Sequence, residues 1–428
     1  MFHRRAFRVV TSLLLAGPLG ACSSSSDVTS GSTNLGGAPG VGGSGVDGGA
    51  RSAGGVSTGG AMNAGGTPAT GGALSLGTTT GGANTATGGV AVTGGAKSDA
   101  TGGAASTDCT APPAAPAIIG FGAATTGGGN ATPVTVTTLA ALEAAVAGTN
   151  AAVVYVKGVL AAGKITVGSN KTIAGICGAE IHGHLGMGGS NVILRNIKVV
   201  GYAVGNCALD PDYDSTVGCS SGNDAISIQN GSQFWVDHCD ISDGTDGNMD
   251  ITNGANNVTV SYTKFHYTSR TDNSGSDSTG ASGHRFSNLV GGSDTITSDA
   301  NALNITWHHN WWADGVMERQ PRVRFGQNHV FNNLYTCAGD NYCVRAGIQA
   351  HILLQNNAFT GVKTPQQFNS TADQATAYIT ATGNVYTNCS GTQATGGGGT
   401  PFTTPTYAFT LDAASAVSAA VQSGAGPQ

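Results

Sequence analysis

Charged side chains are scarce in this 428-residue chain: 10% of its residues are Asp, Glu, Lys or Arg, and the formal net charge is −6. Binding to nucleic acid through phosphates needs an extended basic stripe. The chain offers one short basic segment instead, MERQPRVRFG at residues 317–326, which holds Arg319, Arg322 and Arg324. The composition therefore excludes nucleic acid as a partner and points to that segment as unusual.

Aromatic side chains are missing altogether between Ser23 and Asp108, where Gly, Ala, Thr and Ser dominate and TGGA recurs at irregular intervals. Such a segment cannot bury enough apolar surface to offset its conformational entropy. We expect a disordered tether over residues 22–112, with an rms reach on the order of 50 Å. Residues 113–428 then form one catalytic or binding domain.

No apolar run is long enough to cross a membrane as a helix. The basic MFHRRAFR and the short apolar VVTSLLLAG precede LGAC, which ends at Cys22. This order is typical of a bacterial lipoprotein signal over residues 1–21, with Cys22 as the lipidated first residue; an ordinary secretory signal is the alternative. Either way the chain is exported, as a cell-surface lipoprotein or a secreted protein, and it meets a membrane only through its lipid.

Cysteine spacing typical of zinc fingers is absent, which argues against a Cys-based zinc site. Nine cysteines less Cys22 leave eight, and an even number in an exported protein suggests disulfides. Cys337 with Cys343, and Cys207 with Cys219, are close enough in sequence to pair. Spacing alone leaves the connectivity open.

Helical periodicity is nearly absent after residue 113, apart from LAALEAAVAG at residues 139–148, which could cap one end of the domain. Short β-rich runs such as FWVDHCDIS, NVTVSYTKF, NITWHHNWW and HVFNNLY recur instead, at about 22–26 residues or twice that. This period favours an all-β, single-stranded parallel β-helix; an antiparallel sandwich is the alternative. Stacked amides in one bend would fit the recurrent Asn196, Asn310, Asn332 and Asn356.

Acidic residues gather on two consecutive runs: Asp224 in GNDAISI, and Asp243, Asp246 and Asp250 in DGTDGNMDI. Stacked coils would bring Asp224 beside Asp246 and Asp250. Carboxylates held together repel one another unless a cation neutralises them, and an oxygen-only set suits Ca²⁺. Ordinary solvated turn acids remain the alternative.

The basic segment has the alternation of a strand, so Arg322 and Arg324 should share one face while Val323 points away. Pro321 should hold the backbone at Arg319 rigidly. Guanidinium groups suit two-point recognition of carboxylates, although a surface ion-pair network with Glu318 and Asp314 is also possible. An acidic and a basic cluster on adjacent coils predict a polyanionic ligand such as a polyuronate, bridged by metal.

These motifs together resemble the extracellular pectate lyases of polysaccharide lyase family 1. The resemblance covers about residues 118–335. It is carried, in order, by GFGAATTGG, SNKTIAGICGA, ILRNIKV, NDAISI, FWVDHCDIS, DGNMDIT, NVTVSYTKF, HRFSNLVGGSD, ITWHHNWW and RQPRVRFGQNHVFNNLY.

The resemblance implies a right-handed parallel β-helix and Ca²⁺-dependent β-elimination of polygalacturonate by a monomer. It implies that Asp224, Asp246 and Asp250 ligate calcium, that Arg319 is the catalytic base and that Arg324 binds substrate. Family members also use a basic residue before this segment, and Arg285 is the nearest candidate.

Asp237 and His238 should be structural, on the far side of the fold. Elimination removes the proton on C5, and cations that neutralise the adjacent carboxylate would stabilise the developing charge. A guanidinium is an awkward base; calcium and Arg324 should disfavour its charged form, so we expect an alkaline optimum. Two alternatives are a pectin lyase acting on methylated pectin and a non-catalytic polysaccharide-binding β-helix.

Overall fold

The computed structural model describes residues 109–201, 214–216, 223–268 and 284–428. They form a parallel β-helix, as predicted, in which each coil contributes strands to three long parallel faces. Cys22, Cys207 and Cys219, the leader and nearly all of the tether lie outside the described residues. None of the described helices is long and apolar enough to cross a membrane.

The first coils consist of three strands that precede the regular repeat. These are β1 (Val134–Val136), β2 (Ala152–Val167) and β3 (Lys171–Met187). The long strand β3 pairs with the first strand of every face, so it starts all three sheets at once.

Each of the three faces is a stack of short strands. The face that carries the site comprises β6 (Ile226–Gln229), β9 (Met249–Thr252), β12 (Leu289–Val290), β15 (Arg322–Val323), β18 (Val344–Ala346) and β21 (Gln366–Phe368). The second face comprises β4 (Val192–Arg195), β7 (Ser232–Asp237), β10 (Asn256–Ser261), β13 (Ile305–His308), β16 (Gln327–Phe331), β19 (His351–Gln355) and β22 (Tyr378–Thr382). The third comprises β5 (Lys198–Val200), β8 (Asp240–Ser242), β11 (Lys264–His266), β14 (Trp311–Trp312), β17 (Leu334–Tyr335), β20 (Ala358–Thr360) and β23 (Val385–Thr387).

The corner after the second face explains the recurrent asparagines. Asn196, Asn332 and Asn356 adopt the left-handed conformation there, with φ of 53°, 53° and 50°, which Asn tolerates better than most residues. The predicted stack was therefore displaced by one position at Asn332 and Asn356, whereas Asn196 is followed by Ile197 and is not part of a ladder. The amide ladder runs through the residues that follow such corners: Asn310, Asn333, Asn357 and Asn384.

In that ladder each side-chain oxygen accepts the backbone N–H of the preceding coil. Asn310 N–H donates to Asn333 Oδ1 at 2.8 Å, and Asn333 N–H donates to Asn357 Oδ1 at 3.0 Å, across 23 and 24 residues. Since these groups are buried, the ladder satisfies polar atoms that would otherwise destabilise the interior.

Inward side chains align from coil to coil because the register is parallel. An aromatic column shows this most clearly, with ring centroids 4.2–5.6 Å apart between successive members: Phe265, Trp312, Tyr335, Phe359 and Tyr386. Offset stacking at such distances adds to the burial of apolar area. The column fixes the third face and, through the shared core, the other two.

In the part of the chain that the structure describes, three α-helices pack against the β-helix. Helix α1 (Leu139–Val146) confirms the predicted capping helix: Leu142 and Val146 are fully buried against the first coils, and the Thr138 side chain accepts from Ala141 N–H. The sequence did not predict α2 (Thr371–Thr376) or α3 (Ala414–Gly424). Helix α3 buries Val417 and Val421 against the third face.

The structure joins Cys109 to Cys177 in a disulfide. Cys337 and Cys343 are free, buried thiols, so the pairing suggested by their spacing is not present. The buried amide of Gln320 contacts the Cys337 thiol, and the buried carboxyl of Asp340 contacts the Cys343 thiol.

Candidate active site

The acidic and basic clusters lie on the same face of the β-helix. Asp250 on β9 is level with Leu289 on β12, and Leu289 is paired with Arg322 on β15. Ile251, Val290 and Val323 alternate with them and fill the core. Since strands are about 4.8 Å apart, Asp250 and Arg322 are on the order of 10 Å apart along the face. A sugar chain lying across it could touch both.

Three carboxylates converge at one edge of this face. Asp224 precedes β6, Asp250 lies on the neighbouring β9, and Asp246 lies in the turn before β9. Each offers a carboxylate oxygen, and these oxygens all lie within 4.8 Å of one another. All three residues are at most 9% exposed. The predicted convergence of these residues is therefore confirmed.

Gly247 makes the approach of the carboxylates possible. A Cβ at this position would lie 2.8 Å from Asp224 Oδ1 and 3.3 Å from Asp250 Oδ1. Any other residue would push these oxygens apart, so the DG pair in DGNMDI serves the cluster as well as the turn.

Some of the carboxylate oxygens in this cluster accept hydrogen bonds from the protein, and others do not. Asp224 Oδ2 accepts from Ser227 Oγ at 2.8 Å, and Asp250 Oδ1 accepts from Leu289 N–H at 2.8 Å. Asp224 Oδ1 is buried and, among the described residues, accepts no hydrogen bond. Asp246 Oδ1 is also buried and has His284 Nε2 at 3.0 Å. A buried carboxylate oxygen without a donor suits a hard cation such as Ca²⁺.

Electrostatics point to the same need for a cation. Burial, with the charges of Asp250 and Asp246, raises the pKa of Asp224 well above its usual range. Burial also raises the pKa of Asp250 to about 7, against the opposing effect of Arg319. Asp224 and Asp250 therefore hold their protons more tightly than ordinary aspartates unless positive charge replaces them.

Arg319 lies beside this cluster on the next coils. Its backbone carbonyl accepts from Asn288 N–H at 2.6 Å, and its guanidinium carbon lies 4.4 Å from the ring centre of Phe286. Its Nε and Nη1 are buried without a hydrogen-bond partner among the described residues. The backbone at Arg319 has φ of 62°, a strained left-handed conformation for arginine. Two donors of the Arg319 guanidinium are thus aimed at no acceptor among the residues that the structure describes.

We expected calcium and Arg324 to disfavour the charged form of Arg319; the neighbouring carboxylates act in the opposite direction. Burial acts to lower the pKa of Arg319, but the charges of Asp250 and Asp246 outweigh it and raise the pKa. Arg324 is not among its main influences. Instead, burial and the charges of Arg322 and Arg319 lower the pKa of Arg324, against the opposing effect of Asp294.

Arg324 is anchored before any ligand arrives. Its Nε donates to Asp294 Oδ1 at 2.7 Å and its Nη1 donates to Gly291 O at 2.9 Å. Glu318, which we considered as an ion-pair partner for the arginines, accepts from Asn341 instead. Arg324 therefore presents a fixed side chain at the site face.

Two other predicted residues have different outcomes. Asp243 does not join the cluster; its Oδ1 accepts the backbone N–H and hydroxyl of Thr268 at 2.9 and 3.0 Å. Arg285 is half-buried, and its carbonyl accepts from Met317 N–H. Its role as the additional basic residue remains a prediction.

Asp237 and His238 lie at the end of β7 on the second face, away from the carboxylate cluster. Asp237 is fully buried; its Oδ1 accepts from Ser261 Oγ at 2.7 Å and its Oδ2 lies 2.8 Å from His238 Nδ1. This internal network matches the structural role that we expected for the pair.

Sequence reasoning missed two residues that border the cluster. His284 Nε2 lies 3.0 Å from Asp246 Oδ1, and the His284 ring lies 4.0 Å from that of Phe286, which covers Arg319. The signal was present in HRFSNLVGG, where His284 and Phe286 flank Arg285. No periodicity singled them out, because residues 269–283, which precede them, contain no β-rich run in the sequence.

The fold and site define a parallel β-helix with a buried carboxylate cluster and fixed arginines on one outer face. A family model described as pectate lyase matches residues 62–428. The chain belongs to the pectate lyase family.

Curated relatives match about two fifths of the chain. A pectate lyase of Bacillus subtilis is 36% identical over 197 residues, which cover 39% of this chain and 41% of that protein. Pectate lyase E of Dickeya chrysanthemi is 34% identical over 199 residues, or 40% of this chain and 46% of that protein. The matched regions thus cover less than half the length of each of these relatives.

Solved structures match more of the chain. A pectate lyase bound to a hexasaccharide has a TM-score of 0.56 at 25% identity, over 72% of this chain and 96% of that one. The major cedar pollen allergen jun a 1, at 23% identity, has a TM-score of 0.56 over 73% of this chain and 93% of the allergen, which shows the shared fold.

Proposed function

We propose that this chain is a Ca²⁺-dependent pectate lyase that cleaves de-esterified polygalacturonate by β-elimination. The observation that carries the proposal is the common face, where three buried carboxylates converge. Two of them raise the pKa of Arg319 against the effect of burial, and its Nε and Nη1 have no hydrogen-bond partner among the described residues. Family membership agrees with it, and one similar solved structure is described as a pectate lyase with an anti β-elimination mechanism.

Asp224, Asp246 and Asp250 are the residues that would hold the cation. Bound there, Ca²⁺ would supply a positive charge for a uronate carboxylate of the substrate. Retention of all three acids favours pectate over methylated pectin, because an esterified uronate has no charge for that site to bind.

The arginines would act on the same sugar. Arg324, held by Asp294 and Gly291, would bind a substrate carboxylate through guanidinium donors that those contacts leave free. Arg319 would abstract the proton on C5, and the bond from C4 to its oxygen would then break. The products would be a 4,5-unsaturated oligogalacturonide and a new reducing end, with solvent protonating the departing O4.

Arg285 would complete the basic set. It immediately precedes Phe286, whose ring contacts the Arg319 guanidinium, so its main chain is fixed close to the base. We assign it to substrate binding rather than to proton transfer.

The decisive experiment follows the ultraviolet absorbance of the new C4–C5 double bond, with polygalacturonate as substrate. Activity should vanish in EDTA and return with Ca²⁺. Activity that survives EDTA, or that prefers methylated pectin, would favour a pectin lyase. Pectate binding without any product would favour a non-catalytic binding protein.

Arg319→Lys tests the base. It keeps the positive charge but loses the planar group, so kcat at saturating Ca²⁺ should fall by about 100-fold or more, the scale of a lost general base. The matched control is Arg195→Lys on the second face, where Arg195 donates to Pro113 O. Unchanged turnover in Arg319→Lys would refute the assigned role.

We also propose that the enzyme is an exported monomer, tethered to a membrane by lipid on Cys22. The leader and the Gly/Ala/Thr-rich segment that follows it support this. Metabolic labelling with a radioactive fatty acid should mark the wild type but not Cys22→Ser. Unlabelled wild-type protein in the culture medium would instead indicate plain secretion.

A further inference from the structure

A second cluster of ligand-forming groups lies behind the arginine segment and plays no part in the proposed reaction. It consists of Cys337, Asp340 and Cys343, from the sequence CAGDNYC between β17 and β18. Their Sγ and carboxylate atoms lie within 4.8 Å of one another, and all three residues are fully buried. Two thiols and a carboxyl in one buried pocket need an explanation.

A fourth oxygen completes the set. Gln320 is also fully buried, and its Oε1 accepts from the Cys337 thiol at 2.9 Å. On the other side, the Cys343 thiol contacts Asp340 Oδ2 at 3.5 Å. Two sulfurs and one carboxylate oxygen therefore lie together, and the Gln320 oxygen contacts one of these sulfurs.

Although the cysteine spacing argued against a Cys-based zinc site, the geometry of this cluster supports one: we propose that these four groups bind a thiophilic divalent cation of the Zn²⁺ class, at a site distinct from the aspartate cluster. A tetrahedral zinc centre, with Zn–S of about 2.3 Å and Zn–O of about 2.0 Å, places its sulfur and oxygen ligands about 3.5 Å apart. The Cys343–Asp340 distance already has this value. The Cys337–Gln320 contact needs to open by roughly 0.6 Å for the same geometry.

Asp340 is held in the orientation that such a site requires. Its Oδ1 accepts from Lys363 N–H at 2.7 Å, which turns Oδ2 toward the thiols. The backbone of Asp340 is held as well, because its N–H donates to Cys337 O within the same turn. A ligating carboxylate fixed through its second oxygen is the usual support of a protein metal site.

A disulfide between Cys337 and Cys343 is the competing explanation, and the surroundings disfavour it. Disulfide formation would remove both thiol hydrogens. Asp340 Oδ2 and Gln320 Oε1 would then face sulfur without a donor inside a fully buried pocket, which is unfavourable. A cation satisfies both oxygens and both sulfurs at once, and only the two thiol protons and any carboxyl proton need to leave.

The location connects this site to the arginines. Gln320 directly follows Arg319, and its backbone N–H donates to Cys343 O at 2.9 Å. A cation held by Gln320, Cys337 and Cys343 would therefore fix the backbone that carries Arg319 without touching substrate. We assign it a structural role.

The test is a titration of the reduced full chain with Co²⁺, in excess Ca²⁺ that saturates the aspartate cluster. One equivalent should produce thiolate-to-cobalt charge-transfer absorption with the visible bands of a tetrahedral centre, and Zn²⁺ should displace it. The matched control is Cys239→Ser, which removes a fully buried thiol elsewhere; its spectrum should equal that of the wild type.

Two kinds of variant make the result decisive. The double variant Cys337→Ser/Cys343→Ser should lose the absorption. Asp340→Asn keeps both thiols and the side-chain size, and should weaken Co²⁺ binding by about tenfold or more. An unchanged affinity in Asp340→Asn would overturn the proposal.

The absence of cobalt–thiolate absorption in the reduced wild type would overturn it as well. So would a peptide map of protein purified without reductant that shows Cys337 joined to Cys343. These readouts do not involve polysaccharide cleavage, so they can fail while the proposed lyase function stands, and the reverse also holds.

Discussion

Replacing Asp250 with asparagine should stabilise the metal-free protein at alkaline pH, although it damages the candidate cation site. Asp250 is only 7% exposed, and its pKa is raised to about 7 by burial. Asparagine has nearly the same shape, and its amide oxygen can still accept from Leu289 N–H. The substitution therefore removes a buried charge with little change in packing.

The sign follows from proton binding in the two states. An unfolded aspartate has a pKa of about 3.9, so between about pH 4 and pH 7 the folded protein keeps a proton that the unfolded chain has released. The free energy of unfolding then falls by about 1.4 kcal/mol per pH unit as pH rises. Over roughly three units the loss is about 4 kcal/mol, an upper estimate, and it is complete above pH 7.

The assay is thermal unfolding of wild type and Asp250→Asn in EDTA, from pH 4.5 to 8.5. The two should unfold together at pH 4.5, and the variant should unfold several degrees higher at pH 8, at about 2 °C per kcal/mol for a domain of this size. Saturating Ca²⁺ should raise the wild type at pH 8 and affect the variant much less. Asp314→Asn, at an exposed position, is the control. If Asp250→Asn were no more stable than wild type at pH 8 in EDTA, the account of crowded, uncompensated carboxylates would be refuted.

Three further changes probe other parts of the molecule. His329 is fully buried, and burial lowers its pKa to about 4. As pH falls from about 6.5 to 4, the unfolded chain therefore takes up a proton at this residue before the folded protein does. Over this range the free energy of unfolding of wild type should fall by about 3 kcal/mol relative to His329→Gln, as measured by urea unfolding at both pH values. Leu142→Ala in α1 should cost about 2–5 kcal/mol by the same assay and leave Ca²⁺ affinity, measured by calorimetry, unchanged. Arg324→Lys should raise KM for polygalacturonate more than it lowers kcat, because Lys cannot keep both the Asp294 and Gly291 contacts; an effect on kcat alone would assign Arg324 to the chemical step instead.

Periodicity made the fold predictable. A coil-length repeat of β-rich runs can be satisfied by stacking in parallel, and the inward residues then follow from alternation, as Ile251, Val290 and Val323 show. Position along the corner was less predictable. Asn332 and Asn333 are identical in type, yet one adopts the left-handed turn and the other points into the ladder, and only the three-dimensional register separates them.

The site residues were predictable where they lie on strands or tight turns of the repeat, and not where the sequence before them departs from the repeat. Asp224 and Asp250 are positioned by the pairing of β6 with β9, which the repeat implies. His284 and Phe286 come after residues 269–283, whose sequence breaks the repeat, so no spacing relates them to Asp246 or Arg319. Helix α3 was missed for a different reason. Its apolar stripe is narrow, and only Val417 and Val421 of this helix are fully buried.

The electrostatics of Arg319 give the carboxylate cluster a second role in the proposed reaction. A base must lose its proton, yet the charges of Asp250 and Asp246 raise the pKa of Arg319 and oppose that loss. Burial acts in the opposite direction. Carboxylates that share their charge with a cation would attract the guanidinium proton less, and the effect of burial would then dominate. The cluster would thus bind substrate and also determine whether Arg319 can act as a base, so activity should rise with pH only when the cluster is loaded. A pH profile of kcat/KM at limiting and at saturating Ca²⁺ measures this. The rise of kcat/KM with pH should occur at lower pH when Ca²⁺ is saturating. A rise at the same pH under both conditions would show that the cluster does not control the base.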